Sequence, residues 1–264
     1  MLSLEHVYTA CSFFFCFYRE AGIMKGNIND SCMKQGCLTY TDEKGGLIML
    51  ELKLKSGEVK QCEAGAYVHE LLEAWNVKEA VYAVTLDGKL HDLNYRIKKS
   101  GALDYIYADS ETGKLIYERS LNFLFIVAVR SLFPDARVRM EHALSGGQYC
   151  EIDKEGYCKP QDVRKIEKRM KELIAANEVI HRRVVATAEA QAYFDRLGMK
   201  NKANLLACRK SATSSIYTLC GYDDYFYGIM LPDTSYLTHF SIRFYAPGVW
   251  LSAGNGFQNQ SKLF

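Results

Sequence analysis

Charge of one sign is the first thing this sequence lacks: 33 basic against 31 acidic residues leave a formal net charge of +2. No global field therefore draws the chain to a polyanion or a bilayer, so DNA and membrane are not expected partners, and any RNA contact must come from a local patch. Paired cysteines are missing too. The nine cysteines stand at scattered positions without a single C-x-x-C pair, which reads as free or buried thiols in a reducing cytoplasm. Long apolar runs are absent: the stretch from Ala10 to Tyr18 is about half of what a bilayer crossing needs. It follows Glu5 with no Lys or Arg, and no A-x-A site comes directly after it, so a signal peptide is not expected. A phosphate-binding G-x-x-x-x-G-K-[ST] loop is also lacking. Gly254-Asn255-Gly256-Phe257 has neither the lysine nor the hydroxyl that would hold phosphate and Mg²⁺, so no cofactor is expected on this chain.

What is present begins late. Residues 1–48 carry no period of 2 or 3.6, and Met24 and Met49 both stand where a shorter protein would start. The expectation is a disordered or non-native extension. From Leu50 the pattern changes. Leu50, Leu52 and Leu54 alternate with charged residues, and Ser56-Gly57 turns the chain into Val59 to Cys62, predicting a β-hairpin. Val68, Leu71, Leu72 and Trp75 follow at helical spacing. Ala80 to Leu86 reads as a strand, Asp87-Gly88 as a hairpin turn, and Leu103 to Tyr107 as another strand. This order over residues 49–110 predicts a small β-grasp-like α+β domain.

A second α+β domain is expected over residues 111–252. Leu121 to Phe133 is an almost wholly apolar helix, hence a buried one. Val138 to Met140 and Gln148 to Ile152 are strands around Ser145-Gly146-Gly147. Pro160 opens an amphipathic helix with Val163, Ile166, Met170, Leu173 and Ile174 inward. Arg182 to Val185 is a strand, and Thr187 is expected to cap a helix that Gly198 ends. Tyr222 to Pro232 is the most unusual stretch. Its aromatics and turn-formers surround the pair Asp223-Asp224, which reads as an irregular pocket lip opposite a helix carrying Arg119 and Phe123.

These segments resemble known ones. Leu54-Lys55-Ser56-Gly57, Ala64-Gly65 and Leu86-Asp87-Gly88-Lys89-Leu90-His91-Asp92-Leu93 are similar to the TGS domain of threonyl-tRNA synthetases. Leu132-Phe133-Pro134-Asp135-Ala136-Arg137-Val138, Gly147-Gln148-Tyr149-Cys150-Glu151-Ile152 and Val163 to Lys171 resemble the second additional, editing domain of those enzymes. That family hydrolyses mischarged tRNA with two histidines four apart on the central helix and a cysteine and a histidine from a later loop. Here the matching positions hold Arg119, Phe123, Phe226 and Met230, none of which serves as a base or a good zinc ligand. The resemblance leaves Lys202 and Asp224 as polar survivors and implies a ligand pocket of Arg119, Phe123, Lys202, Asp224, Phe226, Tyr227 and Met230. That pocket reads as apolar, with no catalytic residue and no metal.

Arg119-Ser120-Leu121-Asn122-Phe123, Glu141-His142-Ala143-Leu144-Ser145, Tyr222 to Gly228 and Phe244-Tyr245-Ala246-Pro247-Gly248 also look like the N-terminal half of bacterial nucleoside kinases of the uridine kinase type. This second resemblance implies a regulatory module that binds a small molecule or a tRNA-like RNA. ATP and Mg²⁺ would then belong to a separate kinase domain, with residues 253–264 as a tail leading to it. Other signals are weaker. His142 beside Glu141 reads as structural, His181-Arg182-Arg183 as solvated surface, and Cys150, Cys158, Cys208 and Cys220 as small buried hydrophobes.

Overall fold

A computed structural model describes residues 47–254. The expected N-terminal extension lies almost wholly outside the described residues, as does most of the tail.

In β1 (Met49–Leu54) the alternation does what period 2 requires: Leu50, Leu52 and Leu54 are buried while their neighbours face water. Gly57, at φ +90°, allows the tight return into β2 (Val59–Glu63), which pairs antiparallel with β1. The ladder continues back to Ile48, whose carbonyl accepts the Ala64 N–H at 2.8 Å. Strands β3 (Val81–Leu86), β4 (Lys89–His91) and β5 (Gly101–Tyr107) complete a sheet of order β2-β1-β5-β3-β4, in which β1 and β5 run parallel. Asp87 and Gly88 both take positive φ, the geometry of a two-residue hairpin turn, and the Asp87 carboxylate accepts the Ala102 N–H. Helix α1 (Val68–Ala74) turns Val68 and Leu71 into a core that includes Leu52, Val84, Leu86, Leu93, Ile97 and Leu103. The result is a β-grasp arrangement.

Helix α2 (Glu111–Leu132) starts ten residues before its apolar run. The Ser110 hydroxyl caps it by accepting the Gly113 N–H at 3.0 Å, and Glu111, Lys114, Leu115 and Glu118 line an exposed side. Hydrophobicity alone hides that amphipathic first half. From Leu121 to Val129 every residue except Asn122 is buried, because α2 is covered on several sides. It touches α3 (Pro160–Ala175), β6 (Arg137–Leu144), β9 (Thr213–Leu219) and, from the β-grasp, β3 and β5. Tyr82 of β3 lies against Tyr117 of α2, with ring centroids 6.0 Å apart, so one hydrophobic cluster spans both parts of the chain. The α+β class expected from the sequence is the one observed.

Two antiparallel sheets flank α2. Strands β7 (Gly147–Asp153), β11 (Ser241–Tyr245) and β12 (Gly248–Ser252) join β6 in one of them, in the order β11-β12-β7-β6. Strands β8 (His181–Ala186) and β10 (Tyr222–Tyr225) flank β9 in the other, in the order β10-β9-β8, and this sheet carries α4 (Thr187–Arg196) and α5 (Lys200–Ala207). Two sequence expectations are corrected here. Thr187 is not a cap: Ala186 holds that position, and the Thr187 hydroxyl donates instead to the Ser211 carbonyl at 2.7 Å, tying α4 to the segment before β9. Tyr222 to Tyr225 is a regular strand, since Cys220 and Gly221, both at positive φ, form a two-residue turn from β9. Its polar residues are tolerated because they are paired: Asp223 accepts from Arg183, Tyr193 and Thr218, and Asp224 from Lys202.

Candidate functional site

Arg119 is a half-buried residue on the amphipathic first half of α2, and the loop after β10 closes over it. Its guanidinium donates to the Ile229 carbonyl and lies against Gly228, where a Cβ would come within 2.9 Å of it. Gly228 is at φ +94°, so both the backbone conformation and the close approach require glycine. Two further bonds hold the loop. The Tyr217 hydroxyl donates to the Gly228 carbonyl at 2.6 Å, and the Ser120 hydroxyl accepts the Leu231 N–H at 2.9 Å while donating to Ile116. Burial lowers the proton affinity of Arg119, yet a guanidinium starts so high that it stays charged at neutral pH. Among the described residues no carboxylate pairs with it.

Between α2, strands β8 and β9, and this loop lies an open cleft of about 450 Å³. Arg119, Arg182 and Arg209 reach it, along with Ser211, Thr213, Ser214 and Ser215, and the apolar residues Leu115, Val184, Phe226 and Tyr227 form its lip. The Arg182 charge is offset by Asp92 at 2.9 Å. Arg209 donates to the Tyr225 hydroxyl and lies over the Tyr227 ring, 5.2 Å from its centroid. Its Nε is buried with no partner.

The residues expected to share one pocket fall into three places. Arg119, Phe226 and Tyr227 line the cleft. Phe123 and Met230 are core residues, fully buried, with the Phe123 ring 5.4 Å from that of Phe226. Lys202 of α5 and Asp224 of β10 form an ion pair away from the cleft lining, in which Asp224 Oδ1 also accepts the Tyr225 N–H at 2.6 Å and Oδ2 is buried without a partner. The polar groups of the cleft are thus arginines and hydroxyls, not Lys202 and Asp224. Arg209 and the Ser211 to Ser215 run escaped the sequence reading; a hydroxyl-rich segment directly after Arg209-Lys210 was the available signal.

The other candidates stay separate. His142 is exposed against Tyr149, and Glu141 pairs with Arg139 at 3.4 Å. Cys150 and Cys158 are buried, and burial pushes the Cys150 thiol up to about 12, which disfavours the nucleophilic thiolate; Cys208 and Cys220 are exposed, not buried as expected. No three His, Cys, Asp or Glu side chains converge into a metal-holding group among the described residues. Arg119, Phe123, Phe226 and Met230 do not fit the zinc that a His/His/Cys/His cluster would hold, since they offer a cation, two hydrocarbon rings and a thioether.

One consequence concerns alkaline pH. Burial raises the Tyr217 phenol to about 12, and Tyr82 likewise. In the unfolded chain both would titrate near about 10. A phenol that holds its proton more tightly when folded contributes fully below pH ~10 and loses that contribution as pH rises through ~12. Urea midpoints are therefore expected to fall steeply between about pH 10 and about pH 12, and less steeply in Tyr217→Phe.

No family model matches the chain. It is 30% identical over 203 residues to a threonine–tRNA ligase of Pelobacter propionicus, a match covering 76% of this chain and 32% of the relative. A threonine–tRNA ligase of Burkholderia lata is 31% identical over 205 residues, and one of Geobacter sp. strain M21 is 30% identical over 203, with the same shares covered. The chain is homologous to the N-terminal region of these ligases and spans about a third of their length. These relatives lend no support to the nucleoside-kinase resemblance. No helix among the described residues is long and apolar enough to cross a membrane.

Proposed function

We propose that this chain is a cytoplasmic RNA-binding domain of the tRNA-synthetase N-terminal kind, which holds a tRNA-like RNA without hydrolysing it. One observation carries the reading: the helix and loop that would supply a hydrolytic His/His/Cys/His set instead bury Phe123 and Met230 in the core and present Arg119 to a cleft shared with Arg182 and Arg209. Such a cleft neutralises phosphate and offers no base to activate water. The homology to threonine–tRNA ligases supports the choice of RNA.

The test is tRNA binding across a salt series, together with a deacylation assay on mischarged tRNA. Each phosphate contact contributes about 0.7–0.9 to the slope of log K against log salt, so two or three arginine contacts predict a slope between about −1.4 and −2.7. A slope near zero, or turnover of mischarged tRNA, would overturn the proposal.

A second reading is favoured by the motif Arg119-Ser120-Leu121-Asn122-Phe123 and by Tyr222 to Gly228: a regulatory half of a nucleoside kinase, with ATP and Mg²⁺ on a separate P-loop domain. Recovery of a kinase in stable complex with this chain would favour that reading.

A further inference from the structure

We propose that the cleft is a nucleotide subsite in which the Arg119 and Arg209 guanidinium groups take a terminal phosphate and the Tyr227 ring takes the base. The inference rests on the RNA reading above and names the part of the ligand that enters.

Charge selects the phosphate. Three arginines reach the cleft, but Arg182 is already matched by Asp92 and bonded to the Ser215 hydroxyl at 3.1 Å. That leaves two cations, Arg119 and Arg209, with no carboxylate partner among the described residues. A phosphate monoester carries close to two negative charges at neutral pH, so it matches the pair; a monocarboxylate would leave one guanidinium uncompensated. Donor geometry agrees. Arg119 uses one N–H on Ile229, Arg209 uses one on Tyr225, and the buried Arg209 Nε has no partner at all. A guanidinium offers five N–H donors, so both keep several for phosphate oxygens. The fixed loop bonds pre-place Arg119, and the Tyr225 hydroxyl does the same for Arg209. Little side-chain ordering is then left to oppose binding.

Apolar exposure selects the base. Tyr227 is 74% exposed, and Leu115 and Val184, each 56% exposed, stand on the other walls of the same cleft. Large apolar groups left in water around a cationic site mark a surface that something covers. Arg209 lies over the Tyr227 ring, so one ring face is occupied and the other remains for a stacked base. Amide and carboxylate side chains that would read a base edge are absent from the lining, so stacking without strong base preference is expected.

The ligand is a phosphorylated nucleotide, either free or as the phosphorylated end of an RNA. Calorimetry on the whole chain uses adenosine 5′-monophosphate, adenosine, and a single-stranded oligoribonucleotide with or without a terminal phosphate. Adenosine monophosphate should bind at least about tenfold more tightly than adenosine, and Arg119→Gln or Arg209→Gln should each remove most of that difference. Tyr227→Ala should weaken both ligands alike. Because Arg119 also holds the loop, Arg209→Gln, on a half-buried residue, is the variant that decides. Equal affinity for the two small ligands, or an unchanged preference in Arg209→Gln, overturns the subsite. Displacement of the monophosphate by the phosphorylated oligonucleotide places an RNA end in the cleft. Displacement by free nucleotides alone keeps the subsite and removes the RNA reading. Salt-sensitive tRNA binding that neither arginine variant nor the monophosphate affects removes the subsite and keeps the RNA reading.

Discussion

Replacing Phe123 by histidine, as if to restore a hydrolytic residue, is expected to cost about 3–5 kcal/mol of stability. Phe123 is wholly buried on α2, its ring meets that of Phe226, and the cluster around it is made of hydrophobic side chains. An imidazole is smaller than a phenyl ring and brings two nitrogens that need partners. It leaves a void and at least one polar atom without a hydrogen bond. For a unit of this size about 1 kcal/mol moves the melting temperature by roughly 2–4 °C, so a drop of roughly 6–20 °C is expected. Thermal and urea unfolding measure it. A loss below about 1 kcal/mol would show that the position tolerates a polar ring, and the case against hydrolysis would weaken with it.

Lys202→Met is expected to be similarly costly, at about 3–5 kcal/mol, because it strands the Asp224 carboxylate. Asp224 is 1% exposed, and among the described residues its carboxylate accepts from Lys202 and the Tyr225 N–H. Its Oδ2 has no partner. Loss of the ammonium leaves a buried carboxylate without the counter-charge it pairs with. The double variant Lys202→Met with Asp224→Leu removes both charges and is expected to recover much of the loss. Urea unfolding of the two single variants and the double variant gives the coupling. Additive losses would place the two residues outside one another's reach in solution. Neither variant should change tRNA affinity per folded molecule, since the pair lies outside the cleft lining.

Local order determined what was legible. Leu50, Leu52 and Leu54 announce a half-buried strand because side chains alternate faces whatever the strand later packs against. Asp87-Gly88 announces a hairpin because few other residues accept positive φ. The run from Leu121 to Val129 announces a helix enclosed on all sides, since only such a place hides consecutive apolar residues. The chemistry was legible only through the resemblance to threonyl-tRNA synthetases, which implies that Arg119, Phe123, Phe226 and Met230 stand where a hydrolytic set would, and none of these residue types is an ordinary general base.

Placement was another matter. Tyr222 to Tyr225 reads as an irregular lip because its acids forbid a lone buried strand, and only partners from α4, α5, β8 and β9 make the strand possible. The sequence by itself determined an α+β class, a β-grasp-like order of elements and a buried central helix, because each follows from residue type and period. The tertiary structure alone decided which side chains share a cavity. Arg119 meets Ile229 across 110 residues, and Arg209 comes to Tyr227 from beyond α5. Contacts at such separation are set by how helices and sheets stack, and no local pattern encodes that.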